Sequence, residues 1–356
     1  MEPVRTGPSD DCLHVDVFLE ERSSRAGITE LLRSVRPHWR PEDVQLKVFT
    51  DGITNQLLGC WAGPESGVVL VRVYGRMTEL FVDRKKELEI LKLLHSHGCG
   101  PRLYCTFQNG MCYEFLKGGA LEEPMLHQPS IYRLVASELG RIHSIKPESS
   151  SSVEPVLWSK LTNYINLLRS CENIQELLQR DSQIPSLEVL SSEVEDLRKH
   201  LTDVGSPTVL CHNDLLTKNI IYNQDEDVVK FIDYEYADFN YQAYDIGNHF
   251  NEYAGVNNVD YSLYPSPELQ IDWLTHYLRS LKVNGGTRDS GVSQGEVQRL
   301  YVEVCKFSLA GHLSWGLWAL LQAKYSTIDF DFLRYAAARF CYYFQKKEEY
   351  LQMPLH

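Results

Sequence analysis

The sequence predicts an α+β fold of two lobes, a small antiparallel β lobe with one key helix and a larger, mainly helical lobe. Three observations point there. Short alternating or β-branched runs crowd residues 44–75 and 100–116, where helical spacing is confined to one segment. Beyond residue 117, apolar residues recur at helical spacing in one segment after another. A single stretch, 207–233, interrupts that helical half with short β-type runs around polar turns. The chain accordingly divides into an N-terminal extension (1–43), a β lobe ending in a hinge (44–116) and a helical lobe (117–356), and its 356 residues are enough for two cores.

Residues 1–26 are polar and without period, and their first part reads as loosely ordered. Thr29 to Val35 reads as a short helix stopped by Arg36-Pro37. VQLKVF (44–49) alternates as a strand does, a turn over residues 50–55 follows, and QLLGCWA (56–62) is the second strand. GVVLVRVYG (67–75) is the third, with Arg72 in its interior either as a surface strand residue or as a phosphate contact. DRKKELEILKLLHSH (83–97) is amphipathic, and Glu87 in its first half is placed to pair with Arg72, with Asp83 and Glu89 as competitors. A glycine turn between strands and one basic strand residue are what a nucleotide-phosphate cover needs, although the lone Gly52 is weak evidence. GPRLYCTFQNGMCYEFL (100–116) makes two strands around Gln-Asn-Gly, and Glu114, Phe115 and Leu116 lead into a Gly-Gly segment able to act as a hinge against adenine.

The helical lobe reads as helices over Ser130 to Ile145, Trp158 to Arg180 and Ser186 to Asp203, with a polar, Pro-flanked loop at 147–155. PTVLC (207–211) is a β-type run that delivers the chain into His212, Asn213 and Asp214. NIIY (219–222) and VVKFI (228–232) follow as a hairpin; with Tyr222 opposite Val228, Asn219 faces Phe231, and Asp233 lies just beyond the ladder. A carboxylate, an amide and a second carboxylate on one loop-and-hairpin unit are the equipment for phosphoryl transfer. Asp214 suits the base that orients and deprotonates an attacking hydroxyl, and Asn219 and Asp233 supply hard oxygen ligands for Mg²⁺. His212 reads as a brace for the loop. Turn-capping Asn and Asp side chains are the bland alternative.

Asp245 to Glu252 reads as the start of a helix, with Asp245 placed to buttress the catalytic loop. Lys282 to Gly295 reads as a flexible loop, and Glu296 to Ala323 and Phe330 to Leu351 as the last helices. Trp315 and Trp318 share a helix face, followed by Tyr335. By periodicity alone such a stripe is more often core; the alternative is a cation wall completed by a carboxylate such as Glu252.

A net charge of −13 argues against nucleic acid and against an anionic membrane surface, while a cationic small molecule would be drawn toward the chain. Nine cysteines with no C-x-x-C pair, and no signal peptide at the N-terminus, point to reduced thiols in the cytosol. The apolar window Phe307 to Leu321 is too short to span a bilayer and reads as a buried helix.

HNDLLTKNIIY (212–222), FIDYEYADFNYQAYDIGNHFNE (231–252) and WGLWALLQAKYSTIDFDFLRYA (315–336) resemble the choline/ethanolamine kinase family, and most closely its ethanolamine kinases. The resemblance spans about Gln45 to Phe344 and includes TDGITNQL (50–57), VLVRVYG (69–75), LYCTFQNGMCYEF (103–115) and NVDYSLYP (258–265). It implies a bilobal, protein-kinase-like fold that phosphorylates the hydroxyl of a small amino alcohol with Mg²⁺ and ATP. Carried onto this chain, it implies Asp214 as base and Asn219 and Asp233 as metal ligands. Nucleotide contacts would come from Asp51, Gly52, Ile53, Thr54, Asn55, Arg72 with its partner Glu87, Glu114, Phe115, Leu116 and Leu216. The alcohol would meet Asp214, Tyr236, Glu252, Trp315, Trp318 and Tyr335.

One departure bears on the substrate. After Glu252, where choline kinases are typically aromatic, this chain has the smaller, more polar Tyr253-Ala254-Gly255-Val256-Asn257-Asn258. A quaternary ammonium wants ring faces, whereas a primary ammonium has three N–H donors and wants acceptors. The expectation is therefore a cytosolic ethanolamine kinase feeding phosphatidylethanolamine synthesis by the CDP-ethanolamine route. It would bind no nucleic acid, would not insert stably in a membrane, and is compatible with a homodimer. The alternatives are a choline or dual-specificity kinase, an antibiotic or protein kinase, and a catalytically dead pseudokinase. The last would be marked by loss of Asp214, Asn219 or Asp233, and none is lost.

Overall fold

A computed structural model of the chain describes residues 12–20, 25–49, 55–63, 67–75, 82–147, 153–287, 291–326 and 328–355. The chain forms two units, Met1–Leu116 and Lys117–His356. The first is built from β1 (Leu13–Val15), α1 (Arg25–Val35), β2 (Gln45–Phe49), β3 (Gln56–Trp61), β4 (Val69–Val73), α2 (Arg84–Ser96), β5 (Leu103–Phe107) and β6 (Gly110–Glu114). Its sheet runs β1-β5-β6-β4-β3-β2, antiparallel throughout except where β1 lies parallel to β5. The unpredicted β1 is only three residues, too short to show a period, and it is seen only through its pairing with β5. The helix at Thr29 extends back to Arg25.

β4 is buried along its whole length, as its Val/Leu content requires, and packs Val69, Val71 and Val73 against Leu58, Phe107 and the α1 residues Ile28, Leu31 and Leu32. Each such side chain taken out of water contributes about 1.5–3 kcal/mol. Asp83 caps α2, its carboxylate accepting from the Lys85 and Lys86 amides, so it is not a partner for Arg72.

The second unit contains β7 (Gly119–Ala120), α3 (Pro129–His143), α4 (Leu157–Ser170), α5 (Ile174–Leu178), α6 (Leu187–Thr202), β8 (Thr208–Cys211), β9 (Ile220–Asn223), β10 (Val228–Phe231), β11 (Asp238–Tyr241), α7 (Gln242–Asn251), α8 (Pro267–Asn284), α9 (Gln294–Tyr325) and α10 (Phe332–Gln352). α9 is the axis: it packs against α4, α6, α7, α8 and α10. From Val302 to Gln322 every residue of it is buried, which is the pattern of a core helix. Among the described residues no helix is long and apolar enough to cross a membrane.

Four expectations for this unit are corrected. The segment Trp158 to Arg180 is two helices, broken where Asn173 adopts φ +60°, a left-handed conformation that asparagine tolerates better than most residues. Lys282 to Asn284 continue α8, which Gly285 caps, and α9 starts at Gln294, so the expected loop is helical at both ends. The signal missed there is the capping box of Ser293 and Glu296. Asp245 does not open a helix; it lies in the first turn of α7, which starts at Gln242 and ends before Glu252.

Finally, the β9–β10 register is one residue from that expected: Tyr222 pairs with Val229 and Asn223 with Val228, while Ile220 faces Phe231. The cause is the turn, where Asp227 takes φ +52° and the Asn223 side chain accepts from the Asp225 amide, so four residues close the hairpin. Asn219 therefore stands beside Ile232, whose N–H donates to its carbonyl at 3.0 Å.

Candidate active site

β8 ends at Cys211, and the loop after it is held from below by one carboxylate. Asp245 of α7 accepts the backbone N–H of His212 at 2.8 Å and of Asn213 at 2.7 Å, and the Nε2 of His143 at 2.9 Å. Burial pushes Asp245 up, but His143 and these donors outweigh it and hold the carboxyl below its usual range. The buttressing role expected of Asp245 is what these bonds perform.

His212 is fully buried, and burial lowers its pKa, so the ring is neutral. Its Nε2–H donates to the Ile232 carbonyl at 3.0 Å and its Nδ1 accepts from the Asp214 amide at 3.3 Å, which defines the tautomer. The histidine thus ties the loop to the end of β10. Asn213, at φ +64°, donates to the Tyr236 carbonyl and accepts from Asn240.

Held this way, Asp214 is 9 % exposed, and its main-chain carbonyl accepts the Asn219 side-chain amide at 2.9 Å. That bond assigns the amide: Nδ2 is the donor, and Oδ1 accepts no hydrogen bond among the described residues. Asp233 follows β10 at φ +64°, a strained conformation for a residue with a Cβ. Burial first, then the charges of Glu252, Asp233 and Glu235, push the Asp214 carboxyl well above its ordinary value, and Lys160 opposes them. Leu216 is half-buried on the same loop.

Beside this group, Tyr236, Trp315 and Trp318 form a connected wall. The Tyr236 ring meets Trp315 edge-on at 5.4 Å, and Trp315 meets Trp318 at 5.3 Å. Each indole N–H is anchored, Trp315 to the Asn248 side-chain oxygen at 2.9 Å and Trp318 to the Tyr236 hydroxyl at 3.0 Å. Glu252 pairs with Arg339 at 3.0 Å, both nearly fully buried, and the Arg339 guanidinium lies 5.6 Å from the Tyr335 ring centre. Arg339 was not singled out from the sequence. The available signal was a lone arginine four residues after Tyr335 on an otherwise apolar helix face.

In the first unit, Arg72 is 5 % exposed and pairs with Glu87 at 3.0 Å, so it is not a surface residue. Arg84, also missed, meets the other Glu87 oxygen at 2.8 Å and reaches the Asn55 side chain at 3.3 Å. The Glu114 carboxylate accepts the Arg102 amide, and Phe115 and Leu116 are half-buried. Asp51, Gly52, Ile53 and Thr54 lie outside the described residues.

His249, on α7 beneath the loop, donates Nδ1–H to the Leu215 carbonyl at 2.9 Å, and burial lowers its pKa to about 4. Burial moves His212 and His312 in the same direction. Below about pH 6.5 the unfolded chain takes up a proton that folded His249 refuses until about pH 4, so stability falls as pH drops through that window. His249 alone accounts for about 3 kcal/mol over the full window, at 1.36 kcal/mol per pKa unit. Urea unfolding at about pH 7 and about pH 5 should show this loss, and His249→Gln should flatten it; equal slopes in the two proteins would refute the assignment.

The chain is similar to known proteins over nearly its whole length. A family model described as choline/ethanolamine kinase matches residues 46–344. Ethanolamine kinase 1 of Mus musculus is 51 % identical over 341 residues, covering 94 % of this chain and 93 % of that protein. Ethanolamine kinase 2 of Homo sapiens is 52 % identical over 331 residues, covering 92 % of this chain and 83 % of that protein. Among solved structures, an ethanolamine kinase of Plasmodium vivax superposes with a TM-score of 0.78 at 29 % identity, covering 92 % of this chain and 89 % of that one.

Proposed function

The chain belongs to the choline/ethanolamine kinase family, and from that premise we propose that it transfers the γ-phosphate of ATP to the hydroxyl of ethanolamine, giving phosphoethanolamine and ADP. The observation that carries the reading is the braced loop bringing Asp214, Asn219 and Asp233 together beside the Tyr236, Trp315 and Trp318 wall.

Asp214 takes the proton of the hydroxyl as its oxygen attacks the γ-phosphorus and the bond to the β-phosphate oxygen breaks, releasing ADP. The residues fit a magnesium ion: Asn219 presents an amide oxygen whose orientation its own N–H bond has set, and Asp233 adds a hard carboxylate. Such an ion would neutralise charge on the β- and γ-phosphate oxygens. Arg72, aimed by Glu87, is assigned to the phosphates, together with Asp51, Gly52, Ile53, Thr54, Asn55 and Leu216. Glu114, Phe115 and Leu116 are assigned to adenine. Glu252, whose carboxylate Arg339 holds in place, receives the primary ammonium, with Tyr335 at its side.

Phosphorus NMR of chain, Mg-ATP and ethanolamine tests the reaction directly. A growing phosphoethanolamine signal supports it, and ATP that stays intact, or hydrolyses to inorganic phosphate alone, defeats it. Trp315→Ala should raise the KM for ethanolamine about tenfold or more while the KM for ATP moves less than about threefold. Equal changes in both constants would make Trp315 a core residue instead.

A further inference from the structure

The aromatic wall already holds a cation belonging to the chain itself. Lys160, on α4, is half-buried, and its ammonium lies 4.4 Å from the Tyr236 ring centre, 5.8 Å from Tyr164 and 6.0 Å from Trp315. Lysine ammonium groups near carboxylates ordinarily pair with them. This one acts on Asp214, Asp238 and Glu235 only through space, and forms no ion pair among the described residues. Burial pulls its pKa down, those three carboxylates pull it back up, and the balance leaves it at about 8.

We propose that Lys160 is a specificity-determining residue, whose ammonium occupies the Tyr236–Trp315 face and so denies it to a quaternary ammonium while leaving a primary ammonium to Glu252. The inference rests on the amino-alcohol kinase reading and deepens it. A quaternary ammonium has no N–H donor and depends on ring faces, so a cation already seated on one removes a wall it needs and repels it. A primary ammonium directs its three N–H groups at oxygen acceptors, so it needs Trp315 as the wall that closes the pocket beside Glu252 and not as an open ring face. Discrimination of this kind comes from a feature set against the wrong ligand rather than from added contacts to the right one.

The test compares kcat/KM for ethanolamine and choline in the wild type, Lys160→Ala, Lys160→Met and Lys160→Arg. The alanine variant should shift the ratio toward choline by about tenfold or more, the methionine variant by part of that, and the arginine variant little. Lys160→Met keeps the apolar stem, so it decides the matter if the alanine variant fails to fold. A ratio unchanged within about twofold in both neutral variants, with the two alcohols falling together, would make Lys160 structural and overturn the proposal.

Fluorescence titration with ethylammonium and tetramethylammonium, read through Trp315 and Trp318, follows the wall without phosphoryl transfer. If the wild type phosphorylates neither alcohol, the enzymatic reading fails, yet tighter tetramethylammonium binding in Lys160→Met than in wild type would still uphold the role of Lys160. Equal binding, or none in either protein, would end it.

Discussion

Asp214→Asn should lower kcat by about a thousandfold, within the range of about 10² to 10⁴ that a positioned general base supplies. The substitution is nearly isosteric, and the Asn219 amide bonds to the main-chain carbonyl of residue 214, so the loop keeps its shape. Nucleotide affinity should therefore change less than about threefold. Stability should hold or rise, because the substitution removes a carboxylate whose ionisation is opposed by burial and by Glu252, Asp233 and Glu235. Single-turnover kinetics with nucleotide titration and thermal melts separates these effects. Lost nucleotide binding together with a lowered Tm would move Asp214 from catalysis to structure.

Arg339→Met should cost about 3–5 kcal/mol of folding stability, the usual consequence of stripping one partner from a buried ion pair. Arg339 is 1 % exposed and Glu252 4 %, so no water replaces the lost guanidinium. The same guanidinium donates to the Gly311 carbonyl of α9, so the deletion also loosens α10 against the helix that carries Trp315 and Trp318. Burial then favours protonation of Glu252, which Arg339 otherwise opposes. The double variant Arg339→Met with Glu252→Gln should recover a good part of the stability, since no isolated charge remains, but should not recover ethanolamine binding. Chemical denaturation of the wild type and the three variants forms the cycle that checks this. Additive losses would show that the two residues do not act as a pair.

These two residues also mark where the sequence was readable and where it was not. Asp214, Asn219 and Asp233 stand out because polar groups at short, chemically meaningful spacing interrupt apolar β-type runs, and local connectivity alone brings them together. Arg72 and Glu87 were placed by strand and helix patterns, which turned a basic residue inside a buried strand into a pair. Arg339 and Lys160 were not found, because each acquires its role from a partner that packing supplies, whereas Arg84 was overlooked although it lies three residues before Glu87 on the same helix. For Arg339 and Lys160 the partners that define the role, Glu252 and Tyr236, are more than 70 residues away, and the local spacing to Tyr335 or Tyr164 does not name them. The hairpin register failed for a different reason: one residue, Asp227, takes a left-handed conformation and closes the turn in four residues where five were expected, and a one-residue slip exchanges every cross-strand pair. β11 escaped notice because Asp238–Tyr241 alternates with polar side chains that belong to the site, Asn240 among them, so its composition follows the loop it supports rather than strand propensity.

The central claim is that this site serves a primary amino alcohol, and the most direct measurement is coupled ADP release with Mg-ATP on ethanolamine and choline side by side. The kcat/KM for ethanolamine should stand at least about tenfold above that for choline, about 1.4 kcal/mol in the transition state. Choline turned over as efficiently as ethanolamine, or better, would contradict it, as would no turnover of either alcohol by a chain that still binds ATP.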